Sequence, residues 1–189
     1  VVNTNGHLKG YSTDGFGMEV SLQENFNAPV KGNSILFIGA GGAARAVALH
    51  FALQGAHRIG ILNRSIEKAK TLATEIHALN KEVISEADGL DCSQINLDDY
   101  QVIIQSTSLG LHENDPSPFD TNRLKAEHLI VDMIYKETKF LKEAATRGCK
   151  TADGEGMLLH QGVKAWEIWT QKTAPVEKMR QALKEALGK

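Results

Sequence analysis

Residues 34–45 read SILFIGAGGAAR and decide how this chain folds. The apolar run at 35–38 predicts a buried strand, and the apolar pattern that begins at residue 43 predicts a helix. The turn between them is rich in glycine. A strand that passes through such a turn directly into a helix is typical of a βα unit that binds a dinucleotide.

The turn itself, residues 39–44, matches G-x-G-x-x-A. Gly39 permits a tight turn, Gly41 lets the backbone approach a pyrophosphate, and Ala44 keeps the helix close to the strand. A glycine-rich connection without any ligand is the alternative. The strand before it and the helix after it favour dinucleotide binding, with free N–H groups at the helix start facing the phosphates.

Outward from this unit, short apolar runs alternate with helical patterns. Such alternation requires crossovers between parallel strands, so we expect the α/β class: a Rossmann-type, doubly wound, six-stranded and mainly parallel sheet. Two further helices, at 156–171 and 175–187, follow without a strand between them. The six predicted strands are residues 35–38, 58–62, 82–85, 102–105, 129–134 and 149–152.

Composition excludes several classes of protein. With 189 residues, 42% of them hydrophobic and 23% charged, the chain is neither disordered nor collagen-like. A net charge of −2 and the lack of an 18-residue apolar stretch argue against nucleic-acid or membrane partners. Cys92 and Cys149 fit neither a disulfide framework nor a metal site, so we expect no metal and a cytoplasmic setting.

The first residues predict a small appendage. Residues 1–4 and 7–11 flank Asn5-Gly6, the dipeptide that most readily forms a hairpin turn. We expect residues 1–13 to be a hairpin and residues 14–189 to form the dinucleotide-binding domain; the family resemblance given below implies that the hairpin belongs to a substrate domain or linker. The chain opens without Met and therefore reads as a fragment.

The second strand indicates which dinucleotide binds. An NAD site usually has Asp or Glu where this strand ends, whereas this chain has Asn63, Arg64 and Ser65. Arg64 can pair with a 2′-phosphate, Asn63 and Ser65 can donate hydrogen bonds to it, and Lys68 adds charge one turn later. In the alternative, Arg64 is a solvated loop residue and Ser65 only a helix N-cap. The missing carboxylate favours NADP.

Polar residues also follow the later strands, at the edge where ligands of doubly wound sheets bind. Thr107 lies in the run QSTSLG after the fourth strand, and its chemistry fits a cofactor ligand and a plain turn former equally well. Tyr135 and Gln161 are polar groups near the same edge.

Four blocks together resemble the shikimate dehydrogenase family, whose members interconvert 3-dehydroshikimate and shikimate with NADP. They are GYSTDG at 10–15, GAGGAAR at 39–45, NRS at 63–65 and GEGMLLHQG at 154–162. The resemblance implies that Asp14 is catalytic and binds substrate, with Tyr135 and Gln161 as substrate ligands. It places the cofactor against Gly39, Ala40, Gly41, Gly42 and Ala43, and the nicotinamide half beside Met133, Gly154 and Met157.

The chain also departs from that family. The family's catalytic Lys and the Ser and Thr residues that hold shikimate belong to an upstream domain, and Lys9 does not match that Lys. We therefore expect this fragment to bind NADP but to be inactive alone. A quinate-using, NAD-dependent relative and a non-catalytic NADP sensor remain alternatives, and the apolar stripe of the last helix predicts self-association, for example as a homodimer.

Overall fold

The computed structural model describes residues 1–188, which form an α/β fold with two sheets. Its strands and helices lie close to the predicted ones. In chain order they are β1 Val2–Thr4, β2 His7–Lys9, α1 Asp14–Phe26, β3 Ser34–Ile38, α2 Gly42–Leu53, β4 Arg58–Leu62, α3 Ile66–Leu79, β5 Ile84–Asp88, β6 Val102–Gln105, β7 Leu129–Asp132, α4 Lys139–Thr146, β8 Lys150–Ala152, α5 Glu155–Thr170 and α6 Val176–Leu187.

The main sheet confirms the doubly wound prediction. Its strand order is β5-β4-β3-β6-β7-β8, and each described pairing in it is parallel. The chain builds outward from β3 in one direction through β4 and β5, then returns to the other side of β3 with β6. The order therefore reverses between β3 and β6, and ligands of such sheets bind beyond the carboxyl ends of the strands at this point.

The two faces of the sheet are covered differently. Helices α1, α2 and α3 cover one face, where Phe37 and Phe51 pack in the larger core. On the other face, α4 packs beside irregular segments that bury Tyr100 and Phe119. The described crossovers that flank β6 contain short 3₁₀ turns, at Leu97–Asp99 and Thr121–Arg123, in place of α-helices.

The third predicted strand is displaced by two to three residues. It was expected at 82–85, but the chain first turns at Asn80, whose side chain accepts a hydrogen bond from the Glu82 backbone. Pairing with β4 then begins at Ile84 and continues to Asp88. The Asp88 carboxylate ends the strand, because it accepts hydrogen bonds from backbone N–H groups of the following turn, including Gln94 N at 2.6 Å.

The N-terminal hairpin has the predicted form. Strands β1 and β2 are antiparallel, with Val2 opposite Lys9. Asn5 and Gly6 both have positive φ angles, 52° and 88°, as a two-residue hairpin turn requires. The hairpin is almost wholly exposed to water.

Helices α5 and α6 share a small core of their own, and α5 also packs along α1. A polar cluster joins them: Nε2 of the buried His160 lies 2.9 Å from a Glu24 oxygen, and Arg180 donates to the same carboxylate. Burial tends to raise the pKa of Glu24, but the His160 and Arg180 contacts prevail and lower it.

The predicted apolar stripe of α6 is partly covered within the chain. Val176, Met179 and Leu183 pack against a small core formed by α5, so the surface left for self-association is smaller than the sequence pattern predicted. None of the helices in residues 1–188 has both the length and the apolar character needed to cross a membrane. Both cysteines are buried and unpaired, and no group of three or more metal-binding side chains occurs within the same residues.

Candidate functional site

The glycine-rich turn lies at the carboxyl end of β3, next to the point where the strand order reverses. Gly39 has a φ of 115°, and its N–H donates to the Leu62 carbonyl at 2.7 Å. The Ser106 hydroxyl, from the loop after β6, donates to the Ile38 carbonyl at 2.8 Å. Both neighbouring strands thus fix the path of the turn.

Beyond Gly39 the turn faces open space. A Cβ atom added at Gly41 or Gly42 would meet nothing within 4 Å. Gly41 occupies the N-cap position of α2, and α2 begins at Gly42, one residue before the predicted start. The first N–H groups of a helix lack partners within the helix, so this turn offers donors and space to an anionic ligand.

The predicted 2′-phosphate residues follow β4 on the same edge. Arg64, Ser65 and Lys68 are exposed, and none of their side chains has an ion-pair or hydrogen-bond partner among the residues described. The Asn63 amide instead donates to the Ser65 carbonyl at 2.9 Å and shapes the turn. Ser65 occupies the predicted N-cap position of α3, but its side chain forms no capping hydrogen bond.

Thr107 has the turn-forming role that was one of its two interpretations. Its hydroxyl accepts a hydrogen bond from the Leu109 N–H at 3.1 Å. The residue also lines an open cavity, and its role as a cofactor ligand stays a prediction.

This cavity, of about 540 Å³, lies at the carboxyl ends of β6 and β7 and is mostly apolar. It contains the expected nicotinamide neighbour Met133 and the expected substrate ligand Tyr135, which is 49% exposed. Its complete lining is Ala43, Ser106, Thr107, Leu111, Met133, Ile134, Tyr135, Lys136 and Leu187.

A buried carboxyl, that of Asp132, lies directly before the lining residues Met133 and Ile134 in the chain. Asp132 ends β7 and accepts hydrogen bonds from the Thr138 hydroxyl at 2.7 Å and from the Ile134 N–H at 3.0 Å. Burial raises the pKa of Asp132, and the hydrogen bonds, including one from Gln105, oppose this effect. These bonds join the loops after β6 and β7 to one another.

Gly154 and Met157 lie at the start of α5, and neither lines this cavity. The Gly154 N–H donates to the Ile134 carbonyl at 3.0 Å, and a Cβ atom at Gly154 would collide with the Met133 carbonyl. The block GEGMLLHQG thus begins with a glycine because the backbone at residue 154 lies too close to that of Met133 for any side chain. Met157 packs, partly buried, against the larger core.

The remaining predicted substrate residues, Asp14 and Gln161, lie where α1 meets α5. Asp14 is the first residue of α1, and the hydroxyl of its neighbour Thr13 lies 3.4 Å from the Gln161 side-chain oxygen. The helices approach closely because Gly17 has no side chain: a Cβ there would lie 2.5 Å from the Met157 carbonyl oxygen. Neither Asp14 nor Gln161 lines the cavity that contains Tyr135.

Sequence reasoning missed several residues of the cavity. Ser106 carried a usable signal, since a hydroxyl directly after a strand at the reversal point is a candidate for holding the loop. Lys136 closes one side by donating to the Leu111 carbonyl at 2.7 Å. Leu187 comes from the distant end of α6, and no local pattern links it to this site.

Comparison with known proteins identifies close relatives of this arrangement. The family model described as Shikimate / quinate 5-dehydrogenase matches residues 21–134, and the one described as Shikimate 5'-dehydrogenase C-terminal domain matches residues 154–184. A protein of Desulforamulus reducens named shikimate dehydrogenase (NADP(+)) is 42% identical over 194 residues, which cover 100% of this chain and 67% of that protein.

Solved structures share the fold. A crystal structure of a shikimate dehydrogenase in complex with NADP+ is 36% identical, with a TM-score of 0.85, over 97% of this chain and 64% of that one. The ligand-free 5-ketofructose reductase of Gluconobacter sp. strain CHM43 is also 36% identical, with a TM-score of 0.87, over 97% of this chain and 66% of that one. The chain thus spans about two thirds of the length of these relatives.

Proposed function

Because this chain belongs to the shikimate/quinate dehydrogenase family, we propose that it is the NADP-binding part of an enzyme that reduces 3-dehydroshikimate to shikimate. The observation that carries the cofactor assignment is the end of β4, where Arg64, which has no ion-pair partner among residues 1–188, stands in place of a carboxylate. The identity of 42% with a protein named as an NADP-dependent shikimate dehydrogenase supports the reaction.

The described residues fit NADP along one edge of the sheet. The open backbone at Gly41 and Gly42 would take the pyrophosphate, since no atom lies where a side chain would stand. Arg64 and Lys68 would neutralise the 2′-phosphate. The apolar cavity beside Met133 would take the nicotinamide ring, and the bound cofactor would supply the hydride.

The substrate would meet side chains from three parts of the chain. We propose that Asp14 accepts a hydrogen bond from the substrate hydroxyl, and that Tyr135 and Gln161 hold polar groups of the ring. Interconversion of an alcohol and a ketone needs a group that exchanges the proton on the substrate oxygen while hydride transfers. Asp14 is half-buried at the start of α1, and its carboxylate can orient such a group.

The cofactor proposal is tested by replacing Arg64. We expect Arg64→Ala to weaken NADP binding by roughly 1.5 to 3 kcal/mol, because a charge-assisted contact to phosphate is lost, and to change NAD binding little. Calorimetric titration of both dinucleotides measures this. Equal affinity of the unaltered chain for NAD and NADP, or equal losses in the variant, would show that the 2′-phosphate assignment is wrong.

The catalytic competence of the polypeptide is a separate proposal. The family's lysine at the substrate hydroxyl has no counterpart that we can match within residues 1–188. We therefore expect the 189-residue polypeptide to bind NADP without oxidising shikimate. Shikimate-dependent formation of NADPH by the purified polypeptide, above the rate of an Asp14→Asn variant, would contradict this.

The likeness to 5-ketofructose reductase supports a second candidate substrate, an open-chain or cyclic keto sugar. At 36% identity it is as similar to this chain as the NADP-bound shikimate dehydrogenase is. Binding of NADP alone does not separate the two functions. Saturation-transfer NMR on the NADP complex with shikimate and with fructose would separate them, because only the true substrate class should contact Tyr135 and Gln161.

A further inference from the structure

A second, smaller cavity lies between the first turn of α2 and the first three turns of α3, next to the glycine-rich turn. It has a volume of about 170 Å³ and is lined by Ala40, Arg45, Lys68, Thr71, Leu72 and Glu75. Ala40 belongs to the turn that would bind the pyrophosphate. The cavity therefore lies where the adenosine half of a dinucleotide would continue from that turn.

Of the two cations that line this cavity, Arg45 forms an ion pair within the described part of the chain and Lys68 does not. Nε of Arg45 donates to a Glu75 carboxylate oxygen at 2.7 Å, which links α2 to α3. Both side chains are partly exposed, 58% for Arg45 and 36% for Glu75. Lys68 lines the same cavity and has no ion-pair partner among residues 1–188.

We propose that Arg45 is a further determinant of specificity for NADP, and that it exchanges its bond to Glu75 for a bond to the 2′-phosphate. This inference rests on the proposed binding of NADP. Arg45 is one turn into α2, and its guanidinium is already directed across the cavity by Glu75. A bound 2′-phosphate would thus meet cations from the start of both helices.

The exchange is favoured by charge. A phosphate monoester carries about −1.5 to −2 at pH 7, whereas a carboxylate carries a single negative charge. Guanidinium also matches phosphate oxygens in a bidentate geometry. NAD has no phosphate at this position, so with NAD bound the Arg45–Glu75 pair would stay closed. In this scheme Glu75 competes with the 2′-phosphate for Arg45.

The test uses two substitutions that break the same ion pair. Arg45→Gln should weaken NADP binding about tenfold, since one charge-assisted contact is lost, and change NAD binding less than twofold. Glu75→Gln should tighten NADP binding about threefold, because it removes a competing anion near the phosphate, and leave NAD binding unchanged. Calorimetric titration of the 189-residue chain with NADP and with NAD gives all four values.

A matched control removes a similar ion pair elsewhere. Asp98→Asn breaks the exposed Lys125–Asp98 pair, 2.6 Å long, and shifts the net charge by the same amount as Glu75→Gln. It should leave the affinities for both dinucleotides unchanged. Opposite effects of Arg45→Gln and Glu75→Gln cannot come from the lost ion pair alone, because both variants lose it.

Each of the following outcomes would contradict one part of this inference or the proposed function. Equal losses of NADP and NAD affinity in Arg45→Gln, or no loss of NADP affinity, would overturn the role of Arg45. Weaker NADP binding by Glu75→Gln would overturn the competition by the carboxylate. If Arg64→Ala weakens NADP binding while Arg45→Gln does not, only this inference fails. If the unaltered chain shows no preference for NADP, the proposed function fails instead.

Discussion

The end of the site where we propose that adenosine binds (the adenosine end) and the end where we propose that substrate binds (the substrate end) use glycine in opposite ways. At the adenosine end, Gly41 and Gly42 leave space, with no atom within 4 Å of an added Cβ. At the substrate end, Gly17 and Gly154 bring backbones together, and an added Cβ at either would collide with a carbonyl oxygen. Open backbone suits a ligand that touches main-chain N–H groups, whereas close backbone fixes side chains from distant segments.

The two ends also differ in the number of chain segments that form them. The adenosine end is formed almost entirely by one continuous stretch, from β3 to the first turns of α3. The proposed substrate residues come from three separate segments: Asp14 starts α1, Tyr135 follows β7 and Gln161 lies in α5. Substitutions at the open glycines should therefore alter binding, and substitutions at the close-packed glycines should alter stability.

The largest effect is expected at the helix contact of the substrate end. Gly17→Ala should lower the free energy of unfolding by about 2 kcal/mol, because its methyl group overlaps the backbone of α5 and outweighs the gain in helix propensity. Urea unfolding followed by tryptophan fluorescence measures it. The control is Gly162→Ala, where the nearest atom to the added Cβ is the Met179 methyl at 3.6 Å.

The control should be neutral or slightly stabilising, since alanine favours a helix over glycine. If Gly17→Ala proves as stable as the unaltered protein, α1 and α5 can separate without cost. The close backbone contact at Gly17 would then not distinguish the substrate end from the adenosine end.

A smaller effect should separate two glycines of the same turn. Gly39→Ala should cost about 1.5 kcal/mol of stability, because alanine is strained at a φ of 115° and its methyl would lie 2.7 Å from the Ser106 oxygen. Gly41→Ala should change stability by less than about 0.5 kcal/mol, as exposed sites usually do, yet weaken NADP binding at least about tenfold by blocking the pyrophosphate.

Thermal unfolding and NADP titration of both variants would test this pair. A Gly41→Ala variant that binds NADP normally would remove the support for open backbone as the pyrophosphate site. A Gly39→Ala variant with unchanged stability would show that the turn adapts without its φ of 115°.

The smallest effect is expected at Ser65. Because its side chain makes no capping hydrogen bond, Ser65→Ala should change stability by less than about 0.5 kcal/mol, below the usual loss at an N-cap. Thr138 is the matched comparison, since it accepts a hydrogen bond from Leu141 N at the start of α4 and donates to Asp132. Thr138→Ala should cost about 1–2 kcal/mol.

Chemical denaturation of both variants measures the difference. A loss of 1 kcal/mol or more for Ser65→Ala would mean that the hydroxyl does cap α3 in solution. The adenosine end would then depend on side-chain contacts as the substrate end does.

The extent to which sequence predicted each end follows from the same contrast. The strand, the turn and the helix around Gly39 lie within one short stretch, so periodicity and motif spacing placed them almost to the residue. The turn-rich segments around β6 were harder. Their buried side chains, such as Tyr100, follow no helical or strand period. The Asp88 carboxylate accepts hydrogen bonds from backbone N–H groups, and no sequence spacing marks such a residue.

The substrate end was predicted only through the resemblance to a family. Nothing in the local sequence links Thr13 to Gln161, and their contact depends on the missing side chain at Gly17. Arg45 and Glu75 show a further limit. The Arg lies in the quoted motif, but its partner is 30 residues away on another helix, and only packing shows the cavity that they share.

The last helix has a practical consequence for anyone preparing this protein. Leu187 forms part of the wall around Met133 and Tyr135, so an affinity tag attached after Lys189 would begin two residues from that wall. Such a tag could compete with dinucleotides and mimic weak affinity in a titration. Val1 is 72% exposed at the end of the hairpin and does not line that cavity, so a cleavable tag is better placed before it.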